Sequence, residues 1–265
     1  MSRLLEVGES KSETREPRIA FETDGGGNYP VWDRFITVNG KRAHYLGNVC
    51  GTCPFVFQRL EDANDKVSPQ ELTNLFRIGI SKLEQSVTQR AMEILPAGEY
   101  KVLLLSCPPQ FILPSTHGDY FCEEQVDLWG PDTGDEGGTH DPKIEYYRTE
   151  TISFAPHSML FEFIVPMFPQ RYLHEETIHS YLSILERQTI PTALAVSILD
   201  VKEELESEAE MNTHWCLAHF LLDGHHKVFA ASRARKPITI LSFLAVDKGI
   251  SLSNDIETLL TILSR

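Results

Sequence analysis

Apolar positions change rhythm partway along the chain. From about Tyr146 onward, short apolar runs alternate with segments of helical period. Leu160 to Val165 reads as a strand, His174 to Arg187 as a helix and Thr192 to Val201 as a strand. Trp215 to Leu222 follows as a strand, His225 to Arg235 as a helix that Pro237 stops, and Ile238 to Val246 as a strand. A last helix spans about Asn254 to Leu263, and the acidic run from Glu203 to Glu210 reads as exposed. Strands alternating with helices predict an α/β (α+β) fold with a mixed sheet.

The first half carries other signals. Phe35 to Val38 and Arg42 to Leu46 flank Asn39-Gly40, the pair that suits a type I′ turn, so a β-hairpin is expected. Between Ser68 and Leu95 the spacing predicts one helix. Ser68 caps it, Pro69 takes its first position and Glu71 completes a capping box. Leu72, Leu75, Phe76, Leu83, Val87, Met92 and Leu95 give it one apolar face, and Pro96 and Gly98 end it. Lys101 to Ser106 reads as a strand. Residues 1–28 are polar and close on Gly25-Gly26-Gly27, which reads as a flexible leader. The expected division is a leader (1–28), an α+β region (29–145) and a second α/β domain (146–265).

Composition narrows the class. The 265 residues are 42% hydrophobic and 23% charged, as in ordinary folded proteins. No apolar run reaches the ~18 residues of a membrane span, and the first residues lack the apolar stretch of a signal peptide. A cytoplasmic protein with no membrane partner is expected. The net charge is −14, and the one short basic cluster is Arg233, Arg235 and Lys236. Non-specific nucleic-acid binding needs cations that displace counterions, so a nucleic-acid partner is not expected, whereas a small anionic ligand stays open.

The cysteines and histidines come next. Five cysteines, an odd number, argue against a disulfide framework. Cys50-Gly51-Thr52-Cys53 is a CxxC. It reads as half of a zinc site completed by His44, Cys107 or Cys122, as a redox dithiol, or as two buried thiols at a turn. Asp132, Asp135, Glu136 and Asp141 sit in a Gly-rich loop whose spacing does not match an EF-hand, and they read as solvated. On one strand His214 and Cys216 share a face while His219 lies on the other, which disfavours a joint metal site. Those three read as core or site-lining residues, and Trp215 and Phe220 as core rather than a ligand platform.

The sharpest candidate site is Asp223-Gly224-His225-His226-Lys227. An apolar strand, a glycine turn and then a helix present backbone N–H groups to an anion. His225, His226 and Lys227 add donors and charge. Asp223 is placed as a base or magnesium ligand, or it merely caps the helix while Gly224 turns the chain.

Phe220 to Ala234, followed by Pro237 to Leu244, resembles the second signature of the ParB/sulfiredoxin superfamily: a strand, Gly-x-x-Arg-x-x-Ala on a helix, and a closing strand. Gly224, Lys227 and Ala230 take the three key places. Pro169-Gln170-Arg171, the helix from His174, and Ile190-Pro191 with its strand are similar to the first half of that domain. The resemblance covers about 90 residues. His225 stands where sulfiredoxins have their reactive cysteine. Too few residues follow Val246 for the DNA readers of segregating ParB proteins. The Asp-Gly-x-His-Arg branch, as in free-serine kinases, is similar at Asp223 and His226, with Lys227 for Arg. That resemblance implies a kinase acting on a small hydroxyl substrate with ATP or ADP and magnesium. Asp223 and Glu162 would be its acids, and Gly224, His225, His226, Lys227 and Arg171 would hold phosphates. The alternative is a non-catalytic nucleotide-sensing or protein-interaction module.

Overall fold

The computed structural model describes residues 1–60, 67, 69–131, 142–204 and 212–265. Ser68, the acids Asp132, Asp135, Glu136 and Asp141, and most of the acidic run after Glu204 lie outside the described residues. Strands and helices follow in the order β1 (Arg3–Ser12), β2 (Ile19–Gly26), β3 (Tyr29–Val38), β4 (Lys41–Asn48), β5 (Gln58–Arg59), α1 (Thr73–Ile78), α2 (Gln85–Met92), β6 (Gly98–Cys107), β7 (Gln110–Ile112), α3 (Glu124–Trp129) and β8 (Tyr146–Arg148). After these come β9 (Ile152–Ala155), β10 (Ser158–Val165), α4 (Glu175–Glu186), β11 (Thr192–Glu203), β12 (Thr213–Asp223), α5 (His225–Ala234), β13 (Ile238–Ala245) and α6 (Ser253–Leu263). The mixture of helices with a mixed sheet and an antiparallel sheet is α+β.

Among the described residues the large sheet has nine strands in the order β1-β6-β13-β11-β12-β10-β8-β7, with β9 paired to β10. Its centre is mixed: β10 runs parallel to β12, β12 antiparallel to β11, and β11 parallel to β13. A second, antiparallel sheet has the order β2-β3-β4-β5. The two faces of the large sheet bury different sets. Ala193, Ala195, Leu199, Trp215, Leu217 and Leu221 pack with α4, α5 and α6. Leu194, Val196, Ile198, Cys216, Ala218, Phe220 and Leu222 pack with the second sheet, α1 and α2. Burial on both faces makes β11 and β12 near-continuous apolar runs in the sequence.

Three expectations are corrected. Residues 1–28 are not a loose leader, because β1 pairs with β6 along an edge of the large sheet and β2 pairs with β3. The division at 146 does not hold either, since β1, β6 and β7 complete the sheet that β10 to β13 build. The single helix over 68–95 is broken into a 3₁₀ turn (Gln70–Leu72), α1 and α2. Gly79 adopts φ 96°, and a Cβ there would lie 1.9 Å from the Ile190 carbonyl oxygen. The chain passes so close to the start of β11 that only glycine fits, and a positive φ cannot continue a helix. The hairpin at Asn39-Gly40 forms as expected, with φ 50° and 76°. No helix among the described residues is long and apolar enough to cross a membrane.

Gly224 is the strand-to-helix turn, with φ 99°. A Cβ there would lie 2.7 Å from Ala193 Cβ. Gly224→Ala combines left-handed strain with overpacking and is expected to cost about 2–4 kcal/mol. Urea unfolding checks it: the midpoint should fall with an unchanged m-value, whereas an unchanged midpoint would mean the turn tolerates a side chain.

Candidate functional site

The Asp223–Lys227 turn forms where the sequence places it, but its charges are spent internally. Lys227 Nζ donates to Asp223 Oδ2 and to the Thr192 carbonyl, both at 2.9 Å, and its side chain is buried. Burial pulls this ammonium below its ordinary value, against the opposing pull of Asp223. The ring of Phe76 lies 5.6 Å from Nζ, and the Ile80 N–H donates to Thr192 Oγ1 beside it. His225 Nε2 accepts from the Met167 N–H at 2.9 Å, and its ring stacks on Phe168. His226 Nε2 accepts from the His174 N–H at 3.0 Å. In each ring Nε2 is thereby engaged by a backbone N–H. Arg171 is exposed on a 3₁₀ turn and stacks against Tyr172. In this arrangement Lys227 is committed to Asp223 and Thr192.

Glu162 is not near Asp223. It pairs with Leu217 in the β10–β12 register, and Asp223 lies six residues further along β12, about 20 Å away at the usual strand rise. Glu162 instead ends a row of polar side chains across the four central strands. Its Oε1 accepts from His219 Nε2 at 3.1 Å. Its Oε2 accepts from Thr149 Oγ1 at 2.6 Å and from the Ser2 N–H at 3.0 Å. Ser197 Oγ donates to His219 Nδ1 at 2.6 Å, and Ser242 hydrogen-bonds Ser197. The order hydroxyl, imidazole, carboxylate is that of an activated nucleophile. Here every member is at most 2% exposed, so no substrate reaches Ser197. The row satisfies buried polar groups and fixes the strands in register. His219 does lie opposite His214 and Cys216, as strand parity requires. Tyr120 Oη contacts His214 Nδ1 at 3.0 Å and Cys216 Sγ at 3.8 Å on the other face.

Cys50 and Cys53 are joined as a disulfide. Among the described residues no group of three or more His, Cys, Asp or Glu side chains could hold a metal. His44, Cys107 and Cys122 are therefore not gathered around the pair. His44 is fully buried beside Phe220, and burial lowers its imidazole to about 3.

The second sheet meets the large one across a cleft of about 660 Å³. β2 and β3 supply Phe21, Glu22, Val31, Arg34 and Phe35. The loop after β4 supplies Val49, Gly51 and Thr52, β11 supplies Val201 and Glu203, and residues 247–252 with Asp255 close the remaining side. Beneath it lies a buried ion pair. Arg34 Nη1 and Nη2 reach Asp200 Oδ1 and Oδ2 at 2.9 and 2.6 Å, a two-pronged contact. Arg34 also donates to the Leu46 carbonyl at 2.8 Å, and Asp200 accepts from the Ile250 N–H at 2.8 Å. Two residues along β11, Lys202 Nζ donates to the Cys50 carbonyl at 2.7 Å, and burial lowers that ammonium to about 8. The sequence reading missed Arg34, Asp200 and Lys202. Parity held the clue: 194, 196, 198, 200 and 202 share one face of β11, so two opposite charges continue an apolar row.

Burial alone would raise the Glu162 carboxyl, but bonds from His219, Thr149 and Ser2 outweigh it and hold it at about 2. The folded value lies below the unfolded one of about 4.3, so ionised Glu162 adds stability above that pH. The contribution is lost as pH falls from about 4.3 toward about 2, and it amounts to about 3 kcal/mol. Urea unfolding from pH 2 to 6 should show the native chain losing that much more stability than Glu162→Gln; parallel curves would mean the carboxylate is not held this way.

Compared with known proteins, the chain matches no family model, no curated protein and no solved structure.

Proposed function

We propose that the chain is a protein-interaction module, and that the cleft between its two sheets receives a basic, apolar-anchored segment of a partner protein. The carrying observation is the cleft's rim. Val31, Val49 and Leu252 are 45%, 39% and 74% exposed around it, a grouping of large apolar side chains that isolated surface residues do not give. The charges beside them are mainly negative. Glu22, Glu203, Asp247 and Asp255 line the cleft. Arg34 is neutralised by Asp200, Lys248 pairs with Asp247 at 2.9 Å and Arg42 with Glu22 at 3.3 Å, which leaves the charges of Glu203 and Asp255. A segment offering leucine-like anchors between lysines or arginines complements both features.

The kinase and nucleotide readings rest on the Asp223–Lys227 turn and its likeness to the ParB/sulfiredoxin signature. The strand, glycine and helix found there support that likeness. Phosphate binding there requires Lys227 to leave Asp223 and Thr192, and the two imidazoles to change partners. The cleft requires no rearrangement.

One titration separates the readings. A fluorescein-labelled peptide of alternating leucine and lysine is expected to bind at low salt and weaken as salt rises, while its leucine–glutamate counterpart does not bind. Leu252→Ser leaves a good helix cap but removes an exposed anchor, so affinity should fall about tenfold. Equal binding of both peptides, or no effect of Leu252→Ser, contradicts the proposal. Binding of ADP, ATP or CTP that Lys227→Ala abolishes would move the function to the turn.

A further inference from the structure

The Cys50–Cys53 pair carries an inference independent of what the cleft binds. We propose that Cys50–Cys53 is a redox-active centre that exchanges with an external dithiol, with Cys50 as the sulfur released first. Four observations carry this. Only three positions separate the cysteines. A ring so small removes little unfolded-chain entropy, so the bridge is a poor staple. The CxxC loop is also only half-buried, so a small thiol can reach it.

The loop is held without the disulfide. Three consecutive carbonyls are anchored from outside: Cys50 by Lys202 Nζ at 2.7 Å, Gly51 by the Glu203 N–H at 2.9 Å and Thr52 by Trp129 Nε1 at 3.1 Å. The Cys50 N–H donates to Asn48 Oδ1 at 3.0 Å. Opening the bridge therefore leaves the loop in place, as repeated turnover requires.

The two sulfurs are unequal. Thr52 Oγ1 lies 3.3 Å from Cys50 Sγ, where its hydroxyl can donate to a thiolate. The Lys202 ammonium at the Cys50 carbonyl adds positive charge. Cys107 and Cys216 also have hydroxyl and cationic neighbours, but both are buried, and burial outweighs them and pushes both thiols up. Cys122 is exposed, but its Sγ lies 3.5 Å from Asp119 Oδ2, whose charge opposes a thiolate.

The exchange follows from that inequality. One thiolate of the external dithiol attacks Cys53 Sγ. The Sγ–Sγ bond breaks, and its electron pair leaves on Cys50 Sγ, where the Thr52 hydroxyl receives it. The second thiolate of the reductant then attacks its own sulfur in the mixed disulfide. Cys53 leaves as a thiolate and takes a proton from water. The reductant departs as a disulfide, and the protein has gained two electrons.

The test equilibrates the full chain, purified without reductant, in dithiothreitol buffers of stepped reduced-to-oxidised ratio. Acid quenching, alkylation and peptide mapping then read each cysteine. One two-electron transition confined to Cys50 and Cys53, with unchanged circular dichroism, is expected. Brief iodoacetamide treatment of the reduced protein should label Cys50 before Cys53. Thr52→Val removes the hydrogen bond to the thiolate, so the disulfide should become about tenfold harder to reduce and Cys50 slower to alkylate. Reduction only on unfolding would make the bridge structural and overturn the proposal. So would two free thiols in the purified protein, or about one equivalent of zinc on the pair. Unchanged behaviour of Thr52→Val would overturn the assignment of Cys50 as the sulfur released first.

Discussion

Arg34 and Asp200 form the buried joint on which the two-sheet arrangement depends. Burying either charge alone is costly, and removing one partner of such a pair typically costs about 3–5 kcal/mol. The pair's desolvation is offset in part by further backbone partners on both sides. Arg34 reaches the Leu46 carbonyl, and Asp200 takes the Ile250 N–H. One ion pair thus draws β3, the end of β4, β11 and the 247–252 loop to a common point. The cleft is the space those four pieces leave above it.

The large sheet treats its two faces differently. Toward α4 and α5 it carries the closed row Ser242, Ser197, His219 and Glu162, with every member buried. Toward the second sheet it carries Asp200 and Lys202, whose partners are Arg34 on β3, the Ile250 N–H and the Cys50 carbonyl. Chemistry-bearing residue types are therefore buried on both faces, and a cleft opens above them on one. This difference, rather than the identity of the groups, separates a structural network from a site. The same reasoning applies at the Asp223–Lys227 turn, where the charge that would attract an anion is already matched four residues away.

Most of the C-terminal architecture was legible. β10 to β13, α4, α5 and α6 fall within a few residues of the spans read from apolar runs, because strands buried on both faces leave an unmistakable pattern. The Asn39-Gly40 hairpin was legible because its turn chemistry is local. What failed was non-local. Nothing in residues 1–12 says that β1 will lie against β6, since an edge strand half exposed to water looks like a polar leader. The break at Gly79 depends on Ile190, 111 positions away, and helical periodicity cannot register that contact. For the site, the turn was found and its shape was right, but Lys227 donates to Thr192, a neighbour that sequence spacing does not show. Glu162 was read from the resemblance alone, as a second acid to go with Asp223. Its partner is His219, across one strand pairing, and not Asp223.

Amide hydrogen exchange, read by mass spectrometry with and without the leucine–lysine peptide at saturation, locates the binding face most directly. If the cleft above the Arg34–Asp200 pair is the functional surface, protection appears at residues 46–52 and 247–252 while 223–227 stays unchanged. Protection confined to 223–227 and the covering segment 167–174, or no change anywhere, would contradict it.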